Sequence, residues 1–210
     1  MMIGVFDSGL GGQLVAERLG PLLPGYDFMV IDDRGHLPYG DKSADEIISL
    51  TEAAVQPLLG NCPIVVLACN TATAAAIDYL RRTYPKTQFV GFEPMVKPAA
   101  ELTRSGQAVI LATAATRNSV RYQRLIKTYG RRVKFIEPDT TDWAWLIEAG
   151  RSGNIDLSAV LDAARAGADV VALACTHYLA LKDRLHQLLP AVAIIEPTAA
   201  VAAQIKRLVV

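Results

Sequence analysis

Runs of like charge are missing from this 210-residue sequence: its 21 basic and 21 acidic residues are dispersed and the formal net charge is zero. A nucleic-acid or anionic-membrane partner would call for a basic patch, so neither is expected and a small molecule is the default partner. Apolar stretches of about 18 to 20 residues, the length that spans a bilayer, are also absent. The first residues enter a strand without a cationic flank, so a cytoplasmic protein is expected. Cysteine is scarce and odd in number: three residues, with no Cys-x-x-Cys pair. That excludes a disulfide framework and a zinc knuckle, and no His/Cys/carboxylate cluster has metal-ligand spacing, so no metal is assigned. Nucleotide-binding glycine patterns fail on spacing. The dinucleotide fingerprint needs glycine where Leu14 stands, and Asp41 separates Gly40 from Lys42 at what would be the end of a phosphate-binding loop.

What the chain does have is one stretch written twice. Residues 64–73 read Ile-Val-Val-Leu-Ala-Cys-Asn-Thr-Ala-Thr, and residues 170–178 read Val-Val-Ala-Leu-Ala-Cys-Thr-His-Tyr. Each begins as an apolar β-branched run, the mark of a buried parallel strand, and each places a cysteine where the run gives way to polar residues that open a helix. Cys69 and Cys175 are 175 − 69 = 106 positions apart, about half the chain. The echo extends to Phe92-Glu93-Pro94 against Ile195-Glu196-Pro197, and to the first strand ending at Asp7-Ser8 against the strand ending at Ala112-Thr113. The 51% hydrophobic content is ample for packed cores. The fold class expected is therefore α/β, as two similar parallel-sheet lobes related by pseudo-twofold symmetry with the active site in the cleft between them. The chain crosses near residues 92–94, giving one lobe from residues 1–93 plus 197–210 and a second from 94–196.

Ligands of open α/β sheets bind at the carboxyl ends of the strands, where both cysteines fall, and a helix amino terminus there favours a thiolate. A single strand-end cysteine is most simply an inert core residue, as Cys62 before Pro63 is read. Two at matched places suit a two-base proton transfer, in which one thiolate removes the proton beside a carboxylate and the opposing thiol returns one from the other face. Asp7 and Ser8 would line one wall and Thr113, Thr116 and His177 the other, although helix capping is the plainer alternative for Ser8 and for His177. Trp143 and Trp145 are read as core or interface residues.

The segments Asp7-Ser8-Gly9-Leu10-Gly11-Gly12, Pro38-Tyr39-Gly40, Ala68-Cys69-Asn70-Thr71-Ala72 and Cys175-Thr176-His177-Tyr178 resemble, as an ordered set, the motifs of the cofactor-independent aspartate/glutamate racemase superfamily, most closely its glutamate-specific branch. Any one alone is weak; together they cover nearly the whole chain. The resemblance implies an isomerase that interconverts L- and D-glutamate for cell-wall peptidoglycan, with neither pyridoxal phosphate nor metal. It places the acid/base pair on Cys69 and Cys175, with Asp7, His177 and Glu148 assisting. It places substrate contacts on Ser8, Tyr39, Gly40, Asn70, Thr71, Thr116 and Thr176. Glutamate is the implied partner, and a homodimer is compatible with the family. Leu179 stands where the family usually has proline. The rival readings are a racemase for aspartate or another amino acid, a binding protein without catalysis on the same fold, and a redox dithiol.

Overall fold

The structure, a computed structural model, describes residues 1–209. It divides into two compact units, one of Met1–Glu93 with Pro197–Val210 and one of Pro94–Glu196.

In the first unit, β1 (Met2–Asp7), β2 (Asp27–Asp32), β3 (Ile64–Leu67) and β4 (Gln88–Gly91) form a parallel sheet in the order β2-β1-β3-β4. Helices α1 (Gly11–Leu19), α2 (Ala44–Val55) and α3 (Asn70–Thr83) make the crossovers. With helices on the sheet, β3 is buried along its whole length, which is why it reads Ile-Val-Val-Leu without alternation. Small residues set the helix spacing. A Cβ on Gly91 would lie 2.4 Å from Thr73 Cγ2, and one on Gly12 would lie 3.0 Å from Asp7 Cβ. Glycine at these two positions lets α3 press on the end of β4 and α1 start directly above the end of β1. Periodicity alone predicts a helix over 44–59; α2 instead stops at Val55 and continues as a 3-10 turn over Gln56–Leu58, because Pro57 has no N–H to carry on the ladder.

In the second unit, β5 (Gln107–Leu111), β6 (Lys134–Ile136), β7 (Val170–Leu173) and β8 (Ala193–Ile195) repeat the order as β6-β5-β7-β8, again all parallel. Its helices are α4 (Val96–Leu102), α5 (Ala114–Asn118), α6 (Val120–Tyr129), α7 (Trp143–Glu148), α8 (Ser158–Arg165) and α9 (Lys182–Leu188). Asp169, just ahead of β7, accepts from the Thr103 hydroxyl and from the backbone N–H of Arg104 at 2.8 Å and of Ser105 at 2.9 Å, tying the entry of β7 to the entry of β5. Burial alone would raise the pKa of this carboxyl; the hydrogen bonds outweigh it and bring it down to about 2. The last helix, α10 (Thr198–Leu208), packs on α1 and β4 of the first unit.

The expectation for the tryptophans is half right. Trp143 is buried edge-on to Tyr178 with ring centroids 5.5 Å apart, whereas Trp145 is 61% exposed, with the Arg151 guanidinium 4.1 Å over its ring. On a short helix, residues two apart point to different sides, so only one of the pair can face the core. Among the described residues, no helix is long and apolar enough to cross a membrane.

Candidate active site

Asp7, Ser8, Cys69, Thr113 and Cys175 lie at the carboxyl ends of β1, β3, β5 and β7. In the first unit, β1 ends at Asp7 and leads into Ser8. Asp7 Oδ1 accepts from the Gly9 N–H at 2.8 Å, which turns the chain sharply toward α1. Cys69 follows β3 and is the N-cap of α3: its Sγ accepts from the Ala72 N–H at 3.4 Å, and the Ser8 hydroxyl is 3.3 Å from the same sulfur. The thiol thus sits over the amino terminus of a 14-residue helix. Such an end stabilises a nearby anion by roughly 0.3–1 kcal/mol, and by up to about 2 kcal/mol when partly buried.

Asn70 and Thr71 form the first turn of that helix and are buried. Asn70 Nδ2 donates to the Phe92 carbonyl at 3.0 Å; its buried Oδ1 has no hydrogen-bond donor among the described residues. An orphaned buried acceptor costs about 1–3 kcal/mol, so this oxygen fits a ligand N–H. Tyr39 and Gly40 lie in a 3-10 turn beyond β2, and Tyr39 is buried in the same apolar cluster as Cys69 and Phe6. Burial, the hydrogen bond to Asp33, the Asp33 charge and the nearby Cys69 all push the Tyr39 phenol up, so it stays a neutral donor.

In the second unit the thiol is supported differently. Cys175 follows β7, but no α-helix begins there. A 3-10 turn spans His177–Leu181, and α9 starts only at Lys182. The helix start expected after Cys175 is corrected accordingly. Instead, Cys175 Sγ lies 3.7 Å from His177 Nδ1, and His177 Nε2 lies 2.6 Å from Glu148 Oε1 at the end of α7. With Nε2–H donating to the carboxylate, Nδ1 presents its lone pair to the thiol, the arrangement that lets an imidazole take a thiol proton and a carboxylate hold the resulting cation. Buried Tyr178 packs behind; burial and then the charge of Cys175 raise its phenol.

Thr113 N-caps α5 through the Thr116 N–H at 3.2 Å and donates to the buried Thr116 hydroxyl at 3.0 Å, while Thr176 is buried beside Cys175. The α5 turn is pinned from outside, where Arg117 donates to the Pro138 carbonyl at 2.8 Å. Among the described residues, no three His, Cys, Asp or Glu side chains converge as a metal ion would need.

Three features escape the sequence reading. Ser8 is a partner of the Cys69 sulfur. Thr140 buttresses the second unit by donating to the Ala112 carbonyl and accepting from Tyr178. Asp33 accepts from Tyr39 at 2.7 Å. Only Asp33 left a signal, as a carboxylate opening the polar loop at the ligand edge of β2.

Residues 34–205 match the Asp/Glu/hydantoin racemase family. The chain is 40% identical over 216 residues to a glutamate racemase from Ectopseudomonas mendocina, covering 98% of this chain and 81% of that protein. It is 39% identical over 213 residues to one from Herpetosiphon aurantiacus, covering 98% and 84%. Among solved structures, that of Escherichia coli glutamate racemase in complex with L-glutamate and the activator UDP-MurNAc-Ala superimposes with a TM-score of 0.86 at 30% identity, over 99% of this chain and 81% of that one.

Proposed function

The chain belongs to the Asp/Glu/hydantoin racemase family, and from that premise we propose that it is an isomerase interconverting L-glutamate and D-glutamate by two-cysteine proton transfer. The observation that carries the reading is that each sheet delivers one thiol to its ligand edge, and each thiol has its own local support: a helix amino terminus and Ser8 for Cys69, and the His177–Glu148 pair for Cys175.

In the proposed reaction the Cys69 thiolate takes the α-proton of D-glutamate, and its electron pair moves into the adjacent carboxylate. The Cys175 thiol then delivers a proton to the opposite face of the planar carbon. The product is L-glutamate, and the protein is left with a Cys69 thiol and a Cys175 thiolate; the reverse reaction runs the same steps backward. Nothing is oxidised or reduced. The charge that builds on the substrate carboxylate is met by prealigned donors, for which Ser8, Thr71, Thr116 and Thr176 are the candidates, with Asn70 Oδ1 accepting from the substrate ammonium group and Tyr39 and Gly40 shaping the pocket. His177, backed by Glu148, accepts the Cys175 proton when L-glutamate is the substrate, and Asp7 assists on the Cys69 side. The proposed setting is the cytoplasm, where the D-glutamate made would feed peptidoglycan synthesis.

The test is incubation of purified protein, without added cofactor, with L-glutamate or L-aspartate in heavy water. Racemisation of glutamate with one solvent deuteron at the α-carbon is expected, and it should survive exhaustive chelation. Turnover of aspartate alone would move the assignment to a sister racemase. Binding of glutamate without α-deuteration would make the chain a binding protein, and activity lost on chelation and restored by one metal would overturn the two-thiol chemistry.

A further inference from the structure

The loop between β2 and α2 carries an exposed histidine for which the racemase reaction has no use. Its imidazole is tied to the proposed substrate wall by a single carboxylate. Asp33 Oδ1 lies 2.7 Å from His36 Nδ1, and Asp33 Oδ2 accepts from the Tyr39 hydroxyl at 2.7 Å. The His36 side chain is 56% exposed and that of Asp33 only 16%, while Tyr39 is fully buried, so the chain of hydrogen bonds runs from bulk water to the apolar cluster that contains Cys69. The Asp33 backbone is held as well: its N–H donates to the Asp7 carbonyl at 3.2 Å, and its carbonyl accepts from the His36 N–H at 3.1 Å.

We propose that Asp33 and His36 are positioning residues for Tyr39 and Gly40, with His36 fixing the orientation of the one carboxylate that fastens this loop to both the solvent side and the Cys69 side. An exposed His–Asp pair three residues apart is ordinarily worth little, because both partners can turn to water. Here the carboxylate is not at liberty to turn. One oxygen is committed to a buried phenol, and the other oxygen decides the rotation of the whole group. Removing His36 lets Asp33 rotate, and the Tyr39 hydroxyl and the Gly40 backbone follow it. The consequence falls on how well substrate is held and leaves the thiol chemistry alone.

The kinetic arm of the test rests on the glutamate reading above. His36→Leu should raise KM for both enantiomers by about three- to tenfold, the size of one hydrogen bond, with kcat within about twofold of the parent. His36→Asn keeps a donor near the position of Nδ1 and should restore the parent KM. In a Tyr39→Phe background the effect of His36→Leu should largely vanish, since both changes act through Asp33. Independently of activity, amide hydrogen exchange over residues 34–42 should quicken in His36→Leu and not in His36→Asn. A His36→Leu protein with parental KM and exchange, an Asn variant as impaired as the Leu variant, or simple additivity with Tyr39→Phe would each overturn the proposal. Should the parent protein fail to racemise glutamate, the function reading falls, and the exchange comparison still decides the role of His36.

Discussion

The two halves put a cysteine at the same place in the same sheet order and then surround it with different partners. In the first, the support is a helix end and one hydroxyl: Cys69 caps α3, accepting from the Ala72 N–H, and the Ser8 hydroxyl lies 3.3 Å from the sulfur. In the second, the following helix is displaced to Lys182 and the support is a side-chain relay, Cys175 to His177 to Glu148. A helix terminus is a fixed partial charge that cannot titrate, whereas an imidazole gains and loses a proton in the working pH range. Two thiols serving a reaction between mirror images can therefore differ in how their rates respond to mutation and pH. A matched repeat in sequence fixes where the reacting atoms sit without fixing how each is tuned.

The largest effect that sharpens this comparison comes from the sulfurs. Cys69→Ser and Cys175→Ser should each cut racemisation by about 10⁴-fold, the upper end of a general acid–base contribution, because a hydroxyl is far too weak a base. One-sided chemistry should persist slowly in heavy water: α-proton exchange with retention from L-glutamate in Cys69→Ser and from D-glutamate in Cys175→Ser. Normal racemisation by either variant would break the two-thiol assignment.

Next come the supports. His177→Asn should cost about 10²- to 10³-fold in the direction starting from L-glutamate, since it removes the proton acceptor 3.7 Å from Cys175. Ser8→Ala removes one hydrogen-bonding partner from Cys69 and leaves the helix end in place, so only about tenfold is expected, in the direction starting from D-glutamate. Rates at saturating substrate, measured from each enantiomer separately, decide this, because kcat/KM must fall equally in both directions when the equilibrium constant is one and only kcat can split. If the two variants gave equal losses of kcat in both directions, the claim that the halves are tuned separately would fail.

How much of this could be read from residues alone follows the same divide. The strands, the sheet edge carrying the cysteines and the position of Cys69 before a helix are local consequences of β-branched runs ending in polar residues, and they stand in the sequence. The relay in the second half is not local. Glu148 reaches His177 across 29 positions, and only the family resemblance named it. The missing helix after Cys175 was hidden because His-Tyr-Leu-Ala-Leu is a serviceable helical sequence; burial of four of its five residues, with Tyr178 against Trp143, takes it into a tight turn instead. Ser8 reads as a cap or a substrate contact from sequence alone, because its neighbour at 3.3 Å is 61 residues away.

Stability should divide along the same line, by amounts measured in kcal/mol and no longer in orders of magnitude of rate. In the first unit, Gly91→Ala forces a methyl against Thr73 and Ile77, so about 1–3 kcal/mol of overpacking is expected at any pH near neutral. In the second, Asp169 is held by hydrogen bonds to its charged form, and its folded pKa of about 2 lies below the ordinary carboxylate value. The stabilisation is present above about pH 4 and is lost as pH falls through the folded value near 2. Denaturant melts should show the Asp169→Asn penalty shrinking below pH 4, with the Gly91→Ala penalty unchanged. A pH-independent Asp169→Asn penalty would mean that the clasp depends on shape and not on charge.

The smallest effect belongs to the third cysteine, which is the control on the other two. Cys62 is buried one residue before Pro63, at the entry of β3 and so at the opposite end of that strand from Cys69; burial pushes its thiol pKa up, keeping it protonated. It is therefore expected to act as neither nucleophile nor base in the folded protein. Cys62→Ser should leave rates from both enantiomers within about twofold, since no proton-transfer step involves it. It should also destabilise the first unit by about 1–3 kcal/mol, because a hydroxyl is less content than a thiol in an apolar site. Cys62→Ala, which places no polar atom there, should recover part of that loss. Thiol alkylation followed by peptide mapping reads the same contrast directly, with Cys62 modified only after unfolding and at least one strand-end cysteine modified in the native protein. A Cys62→Ser protein that folds to parental stability but has lost activity would reverse the roles assigned to the three sulfurs.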